Sequence, residues 1–365
     1  MTDPLTLAQA LLRCPSVTGE PDGGAQDVLA AALTAQGFTV TRLPFGTTPN
    51  LFARRGDGGP HLCFAGHTDV VPPGAGWAHD PWAGIVQDGV LIGRGACDMK
   101  GAIAAFAAAA SGPAPGWGSV SLLITGDEEG PATDGTVRVL DWMARHGHTP
   151  DACLVGEPTN PDRLGEVIKI GRRGSLNATL TVHGTQGHAA YPHRADNPVH
   201  RLVQALDALI AAPLDAGSEW FEPSSLQITS IDVGNPATNV IPGIATARLN
   251  VRFNDHHTGA DLTRWLHAAV ARHAPRATVD VHISGESFLT APGAFTDRLS
   301  GAVERVTGTV PRLDTGGGTS DARFVAKYCP VAEFGLVGRT IHQVNEAVPV
   351  SELRQLAEIY AAVLA

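Results

Sequence analysis

The segment HLCFAGHTD, residues 61–69, is an apolar run that ends in a glycine, a histidine and an aspartate. Its short apolar part, His61–Ala65, is typical of a buried β-strand, which would deliver His67 and Asp69 at its carboxyl end. Residues two apart point to the same side of a strand, so we expect the Asp69 carboxylate to hold one ring nitrogen of His67. A single histidine is usually structural, but this spacing favours a metal ligand.

Three later runs have the same pattern of strand-like stretch, glycine and acidic side chain. They are Val90–Gly93 before Asp98, Val120–Thr125 before Glu128 and Glu129, and Ala152–Val155 before Glu157. Open α/β sheets place functional groups outside the carboxyl ends of their strands, so we expect these side chains to meet at one edge. The segments Ala102–Ala110 and Thr136–His146 are helix-like, which predicts an α/β fold. Upstream, the sequence predicts helices at Leu5–Arg13 and Asp22–Gln36, with Asp22 as a cap, and strands at Phe38–Arg42 and Leu51–Arg54.

The pattern changes near residue 173. Three segments alternate apolar and polar residues, and two helix-like segments separate them: Leu176–His183, Leu226–Val233 and Ala245–Phe253, with helices Pro198–Ala212 and Gly259–Ala274. This predicts a small α+β domain with two helices on an antiparallel sheet. The helix-and-strand pattern resumes from Phe288, and His342 lies near the end. We therefore predict one domain from residues 1–173 plus 287–365, and an inserted domain at 174–286.

Composition sets limits on the function. The 365-residue chain exceeds the usual size of a single-core domain, and 43% hydrophobic residues suffice for two cores. A net charge of -10, with no Lys/Arg-rich run, argues against nucleic-acid binding. No apolar run approaches the ~20 residues of a membrane span, so we expect no membrane association.

The cysteines and the N-terminal residues indicate the compartment. Five widely spaced cysteines form no CxxC pair, which fits reduced thiols better than a disulfide framework. The N-terminal stretch MTDPLTLAQALLRC has no basic segment followed by a long apolar one, so we expect no signal peptide. These features predict a cytoplasmic protein.

The acidic side chains have alternative interpretations. Asp98 could cap the helix that begins at Lys100 or Gly101, but a flexible glycine-rich loop also suits a carboxylate that bridges two cations. Glu128 and Glu129 follow a buried strand, where two like charges repel unless cations compensate them. We assign Glu129 to metal and Glu128 to general acid/base work, with its proton affinity raised by the neighbouring anion.

The last two candidates are weak one at a time. Glu157 could be an ordinary turn residue before Pro158, and His342 could be a core histidine. Together with the strand-end residues they supply two imidazoles and several carboxylates, which is the donor set that a pair of zinc-like ions requires. The sequence therefore predicts a hydrolase with two metal ions.

Two glycine-rich stretches are candidate ligand sites. GRGACDMKG, residues 93–101, lacks the GK[ST] ending of a phosphate loop, which makes nucleotide binding improbable. TGGGTSD, residues 315–321, precedes a helix, and its N–H groups either bind an anion or are capped by Thr319 or Ser320.

Motifs over nearly the whole chain resemble those of the M20 metallopeptidase family. They are FAGHTDVVPPG, GRGACDMKGAIAA, DEEGPATDGTV, CLVGEPT, IKIGRRGSL, GTQGHAAYPHRADNPVHR, TNVIPG, GGGTSDARF and TIHQVNE. The resemblance implies a zinc-peptidase-like catalytic domain with a mixed sheet, and an inserted domain that forms a homodimer. GRRGSL, GHAAYPHRADNP and GGTSDARF are closer to members that remove succinate from a diamino acid, which implies a small anionic N-acyl diamino acid as substrate.

The resemblance also implies roles for individual residues. One metal ion is held by His67, Asp98 and Glu157, and the other by Asp98, Glu129 and His342; the ions are Zn²⁺, with Co²⁺ as an alternative. Glu128 is the general base, and the peptide bond after Asp98 is cis. His188 reaches the active site of the other subunit to stabilise the oxyanion, and Asn239 binds substrate there. The positions that match contacts to substrate carboxylates and the acyl group are Arg172, Ser175, Tyr191, Arg252, Gly318 and Thr319.

One segment departs from the family pattern. The family has an NATIH run where this chain has Gly338-Arg339-Thr340-Ile341-His342, so a polar contact is lost and a cation is added. Two other functions are possible alternatives for the whole protein: another deacylase of the family, similar to acetylornithine deacetylase, or a catalytically silent metal-binding scaffold. The arginine-rich GRRGSL favours a diacid acyl group over acetyl, and the scaffold is disfavoured because no ligand and no base is missing.

Overall fold

A computed structural model of the protein describes residues 3–365; Met1 and Thr2, which begin the stretch inspected for a signal peptide, lie outside it. The chain divides into two compact units. The first comprises the chain through Ile170, Thr290–Asp314 and Ser320–Ala365, and the second comprises Gly171–Leu289 and Thr315–Thr319. The predicted boundaries were 173/174 and 286/287, and the sequence did not predict that 315–319 joins the second unit.

The regular elements are as follows. The α-helices are α1 (Pro4–Leu12), α2 (Ala25–Ala35), α3 (Lys100–Ala110), α4 (Thr136–Arg145), α5 (Pro198–Ile210), α6 (Gly259–His273), α7 (Ala294–Thr307), α8 (Ala322–Val325) and α9 (Val350–Leu364). The strands are β1 (Thr39–Arg42), β2 (Asn50–Arg55), β3 (His61–His67), β4 (Ile85–Gln87), β5 (Val90–Ile92), β6 (Ser119–Thr125), β7 (Ala152–Val155), β8 (Val167–Lys169), β9 (Gly171–Arg172), β10 (Gly174–His183), β11 (Gly187–His188), β12 (Ser225–Asp232), β13 (Val240–Ile241), β14 (Ile244–Phe253), β15 (Ala277–Gly285), β16 (Phe288–Leu289), β17 (Arg312–Asp314), β18 (Val331–Glu333) and β19 (Ala347–Pro349).

The first unit is built on an eight-stranded mixed sheet of order β1-β2-β6-β3-β7-β18-β8-β17. Strand β3 lies between β6 and β7 and runs parallel to both, with His67 opposite Thr125 and Ala65 opposite Val155. The carboxyl ends of the three strands therefore lie together at one edge of the sheet. This confirms the predicted mixed α/β fold and places the loops that follow these strands beside one another.

Helix α3 is buried along its whole length because nearly all its side chains are small. Every residue from Lys100 to Ala110 is buried, and the helix packs against α1, α9 and β3. Phe106 stacks on Phe64 of β3 with ring centroids 4.3 Å apart. Alanine lets helix and sheet approach closely, so the start of α3 lies next to the carboxyl end of β3.

The second unit is an α+β fold, as predicted. Its antiparallel sheet has the order β12-β14-β10-β15, and α5 and α6 pack against it. Residues of β10 and β14 alternate in burial, and their inward side chains form a core with both helices, including Leu180, Leu249, Leu202 and Leu266. Two short ribbons, β11–β13 and β9–β16, complete the unit.

The N-terminal end of α2 differs from the prediction. The residue at its N-cap is Gly24, with a left-handed φ of 85°, instead of Asp22. The Asp22 carboxylate still accepts hydrogen bonds from the backbone N–H groups of Gly24 and Gln26, both at 3.1 Å. Asp22 therefore still binds N–H groups at the start of the helix, but the helix begins at Ala25, and Asp22 lies two residues before its N-cap.

Two predictions from composition can be compared with the structure. All five cysteines are buried and free of disulfide bonds. Within residues 3–365, none of the helices combines the length and the apolar character that a membrane span requires.

Candidate metal centre

The first unit brings the predicted ligands together: His67, Glu129 and Glu157 follow neighbouring strands of the large sheet, whereas Asp98 follows β5 of a separate three-stranded sheet. His67, Asp98 and Glu157 offer ligand atoms that all lie within 4.8 Å of one another, and we call them the first ligand group. Asp98, Glu129 and His342 meet the same criterion, and we call them the second ligand group. His342 thus lies beside ligands that precede it by up to 275 positions in the sequence. This is expected if the second unit is inserted within the first.

Asp98 lies between the two groups and faces each with a different oxygen. Its Oδ1 is 3.1 Å from Nε2 of His67, and its Oδ2 is 3.2 Å from Nε2 of His342. His342 Nε2 is also 2.8 Å from Oε1 of Glu129. A carboxylate that presents one oxygen to each of two imidazole-containing groups has the arrangement needed to bridge two cations. The loop that carries it contains a cis peptide bond between Asp98 and Met99, as predicted.

The donor set and its electrostatics fit divalent cations. Oε1 of Glu157 is buried and has no hydrogen-bond partner among residues 3–365. Burial raises the pKa of Glu157 well above its usual value, and repulsion from Asp98 and Glu128 adds to this. Such a group is costly to bury as an anion unless a cation compensates it. Imidazole and carboxylate donors at this spacing are those that zinc and similar ions accept.

The carboxylates around the two histidines raise the pKa of both imidazoles. Burial opposes the protonated form of His67, but the contact with Asp98 and the nearby Glu157 carboxylate raise its pKa well above the usual value. Hydrogen bonds to Asp98 and Glu129 raise the pKa of His342 to about 10. A metal ion at either group therefore competes with protons for the imidazole nitrogens.

Asp69 orients His67 differently from the prediction. Nδ1 of His67 is 2.8 Å from the backbone carbonyl oxygen of Asp69 and 3.7 Å from its Oδ1. A carbonyl oxygen only accepts, so Nδ1 carries the proton and Nε2 of a neutral His67 is free to bind metal. The Asp69 carboxylate instead accepts hydrogen bonds from the backbone N–H groups of Glu128 at 3.2 Å and Glu129 at 3.0 Å. It therefore positions the loop that carries both glutamates.

Glu128 is a buried carboxyl whose pKa is raised far above its ordinary value. Burial raises the pKa of Glu128 to about 8; His67 opposes the shift, and the anionic Asp321 and Glu129 add to it. The neighbouring anion alone was expected to raise the pKa, whereas burial is the larger cause. Glu128 also lies within 4.8 Å of ligand atoms of His67 and Glu129. A group with this pKa beside the ligands can accept a proton and return it.

Three predicted substrate contacts of the second unit lie at the start of β10. Ser175 is opposite Arg252 in the pairing of β10 with β14. Arg172 is buried, and its Nη1 donates to the carbonyl oxygen of Gly316 at 3.2 Å. This contact ties Arg172 to the 315–319 segment, which also carries the predicted Gly318 and Thr319.

The other predicted contacts of this unit lie beyond the opposite end of β10. The β11–β13 ribbon pairs His188 with Val240. Its strands lie a few residues beyond His183 of β10 and before Ile244 of β14, which pair with each other at that end of the sheet. The backbone N–H of Ala189 donates to the Asn239 carbonyl oxygen at 2.8 Å, and the His188 and Tyr191 rings lie 5.5 Å apart. Strand β10 has ten residues, so it is about 30 Å long at about 3.3 Å per residue. Tyr191 thus belongs with His188 and Asn239 and not with the Arg172 group.

One sequence interpretation near the C-terminal part is corrected. Neither Thr319 nor Ser320 caps the helix after the glycine-rich stretch: the N-cap of α8 is Asp321, and Ser320 Oγ donates to Oε1 of Glu333 at 2.5 Å. The added cation, Arg339, donates to the Asp162 carbonyl oxygen at 2.9 Å, and its side chain is 67% exposed.

Sequence reasoning missed three buried charged residues of the first unit. Asp321 is buried and raises the pKa of Glu128, and Arg94 and Glu346 form a buried ion pair of 2.8 Å next to the Asp98 loop. Each is a single charged residue in a glycine-rich or polar run, and no periodicity distinguishes it from a solvated one.

Comparison with known proteins supports the same assignment of family. The sequence model of peptidase family M20/M25/M40 matches residues 63–365. A succinyl-diaminopimelate desuccinylase from Granulibacter bethesdensis is 67% identical, over 100% of this chain and 98% of its own length. A protein of the same name from Gluconacetobacter diazotrophicus is 64% identical, over 100% and 96%.

A solved structure gives the same fold. A dinuclear metal-binding peptidase of the M20 family from Bacillus subtilis matches with a TM-score of 0.74 at 16% identity, over 99% of this chain and 96% of its own. The family match and the relatives both extend over most of the chain. The protein belongs to peptidase family M20/M25/M40.

Proposed function

We propose that the protein hydrolyses N-succinyl-LL-2,6-diaminopimelate to succinate and LL-2,6-diaminopimelate, in bacterial diaminopimelate and lysine biosynthesis. The observation that carries this is Asp98, whose two carboxylate oxygens face the two histidines His67 and His342 at 3.1 and 3.2 Å. That arrangement supports a two-metal centre, and the names of the relatives at 64–67% identity supply the substrate.

The metal ions would be held by the two ligand groups. We assign one to His67, Asp98 and Glu157 and the other to Asp98, Glu129 and His342, with Zn²⁺ as the expected ion and Co²⁺ as the alternative. When bound, two such cations lower the pKa of a water molecule and polarise an amide carbonyl. Asp69 serves as the residue that orients His67 and holds the glutamate loop.

Glu128 would move the protons of the reaction. Its carboxylate accepts a proton from the attacking water as the water oxygen bonds to the succinyl carbonyl carbon. It then donates that proton to the departing amine nitrogen as the C–N bond breaks, which leaves succinate and the free amino acid. Its proximity to the ligand atoms and its raised pKa support this role.

The arginines of the second unit would bind the anionic substrate. The protein carries a net charge of -10, so attraction for a polyanion must come from local cations. Arg172 and Arg252 lie at one end of β10 with Ser175. Guanidinium groups bind carboxylates through paired hydrogen bonds, which suits a succinyl carboxylate. Gly318 and Thr319 share the segment that contacts Arg172 and would line the same subsite.

The separation of the two groups in the second unit supports a homodimer. Since β10 is about 30 Å long at about 3.3 Å per residue, His188 and Asn239 of one chain lie far from its own Arg172 group. They would reach a substrate held by that group only if they come from another copy. We therefore propose that the partner subunit's His188 stabilises the oxyanion and that Asn239 and Tyr191 contact substrate with it. We place this dimer in the cytoplasm.

Turnover of a substrate panel tests the proposal. The purified protein is assayed on N-succinyl- and N-acetyl-LL-diaminopimelate and on N-acetylornithine, each with added zinc, cobalt or manganese. We expect kcat/KM to be highest for the succinyl substrate. A preference for acetylornithine would support the acetylornithine deacetylase alternative, and no release of amine from any substrate with any metal would support the silent scaffold.

A further inference from the structure

A buried ion pair lies behind the loop that carries Asp98. Glu346 is fully buried and Arg94 is 1% exposed, and Arg94 Nη1 lies 2.8 Å from Glu346 Oε2. We propose that this pair, which we call the Arg94–Glu346 clamp, positions Asp98 and His342 and thereby sets the affinity of the protein for its metal ions. The inference rests on the proposed metal centre.

Glu346 fixes the backbone that leads into Asp98. Its Oε1 accepts hydrogen bonds from the backbone N–H groups of Cys97 at 2.9 Å and Asp98 at 3.1 Å, and from the Cys97 thiol at 3.2 Å. Its Oε2 accepts from the backbone N–H of Gly95 at 3.0 Å as well as from Arg94. The Glu346 carboxylate thus accepts hydrogen bonds from the backbone N–H groups of Gly95, Cys97 and Asp98, which donate to no helix or strand partner in the described part of the chain. The direction of the Asp98 side chain depends on this backbone.

Arg94 extends the same connection to two other ligand segments. Its Nη2 lies 3.3 Å from the carbonyl oxygen of Pro73, in the loop after Asp69, and 3.4 Å from the carbonyl oxygen of His342. The clamp therefore contacts the backbone around three of the metal-site segments at once, although neither of its side chains is a metal ligand.

The backbone at His342 has a feature that needs such support. His342 has a left-handed φ of 59° although it is not glycine. L-residues with a side chain avoid this region and keep it only where the surroundings hold them there. A hydrogen bond from Arg94 to the His342 carbonyl oxygen, with Arg94 itself held by Glu346 four residues later in the chain, supplies that restraint. Without it, the turn would relax and the imidazole would leave the second ligand group.

A role in positioning explains why the pair is charged. A buried ion pair is seldom better for stability than apolar residues of the same size, because both charges lose their hydration. The Arg94–Glu346 clamp makes directed contacts to backbone groups that apolar side chains cannot make. Loss of such supporting contacts typically weakens metal affinity by about 10- to 100-fold.

Metal titration of clamp variants tests the inference. The full-length protein is stripped of metal, and zinc Kd values are measured by competition with a chelator for wild type, Glu346→Gln and Arg94→Lys. We expect Glu346→Gln to weaken both sites by about 10- to 100-fold, since Asp98 is shared. Arg94→Lys keeps the charge but loses the forked contact to His342, so we expect it to weaken one site only. Substituted cobalt would give an altered visible absorption spectrum in both variants.

A matched control separates positioning from general loss of stability. Leu299→Ala removes a fully buried side chain of α7, away from the loops of the ligand groups. It should lower the Tm comparably but leave both zinc Kd values and the cobalt spectrum at wild-type values. Equal weakening in Leu299→Ala, or wild-type affinity in Glu346→Gln, contradicts the inference.

Two further outcomes are also decisive. If Glu346→Gln does not fold, unchanged zinc affinity in Arg94→Lys overturns the inference and a weakened single site supports it. If wild type itself binds no zinc, the proposed metal centre fails and the inference fails with it. Wild-type protein that binds two ions, together with unaffected variants, refutes the clamp alone.

Discussion

Replacing Glu128 by glutamine tests the division of labour between the two adjacent glutamates. The substitution keeps the size of the side chain and removes its ability to accept a proton. A general base contributes about 10²- to 10⁴-fold to the rate, which corresponds to about 3–6 kcal/mol of activation free energy at about 1.4 kcal/mol per tenfold. Glu128 belongs to neither the first nor the second ligand group. We therefore expect kcat to fall by this factor while two ions remain bound per chain.

The assay measures steady-state kinetics and metal content on the same zinc-loaded preparations. Glu129→Gln is the matched comparison, because the altered side chain is adjacent but belongs to the second ligand group; it should lose one ion. Retention of more than a tenth of wild-type kcat in Glu128→Gln would remove this residue from the mechanism. Loss of an ion from the Glu128→Gln variant would instead show that Glu128 is a metal ligand, a role that its closeness to His67 and Glu129 permits.

Three other predictions follow from the geometry. Because the pKa of His342 is raised to about 10, zinc binding to the second ligand group at pH 8 should release a proton, and its affinity should increase with pH up to about 10. Calorimetry in buffers of different ionisation enthalpy measures this, and heats that do not depend on the buffer would contradict it. Asp98→Asn should abolish tight binding of both metal ions, whereas Glu157→Gln should still bind one ion. Metal analysis after dialysis measures the number of ions bound by each variant, and equal losses in the two variants would refute a shared Asp98. Phe106→Ala removes a fully buried ring stacked on β3 and should destabilise the protein by about 3–5 kcal/mol in urea unfolding; a loss below about 1 kcal/mol would contradict the packing described.

Much of the centre could be predicted from the sequence because its ligands follow a repeated pattern. HLCFAGHTD forms β3 and ends at His67, and the runs before Glu128 and Glu157 form β6 and β7. The three strands are parallel neighbours, so a rule about strand ends was enough to place the side chains together. The rule did not place Asp98, whose preceding strand β5 lies in a separate sheet with β4 and β19, nor the distant His342.

The remaining features depend on tertiary contacts that no local pattern encodes. The spacing of His67 and Asp69 predicted a carboxylate contact, but the backbone carbonyl oxygen of Asp69 lies closer to the ring. Glu346 is indistinguishable in sequence from a surface glutamate, and its partners lie about 250 residues earlier in the chain. The return of segment 315–319 to the second unit likewise depends on contacts such as Arg172 with Gly316.

Anomalous diffraction at the zinc absorption edge tests the shared carboxylate most directly. Crystals of the zinc-loaded protein should contain two peaks, each about 2.0–2.2 Å from a different oxygen of Asp98, with His67 and Glu157 on one side and His342 and Glu129 on the other. One peak only, or two peaks of which Asp98 contacts just one, would contradict the account.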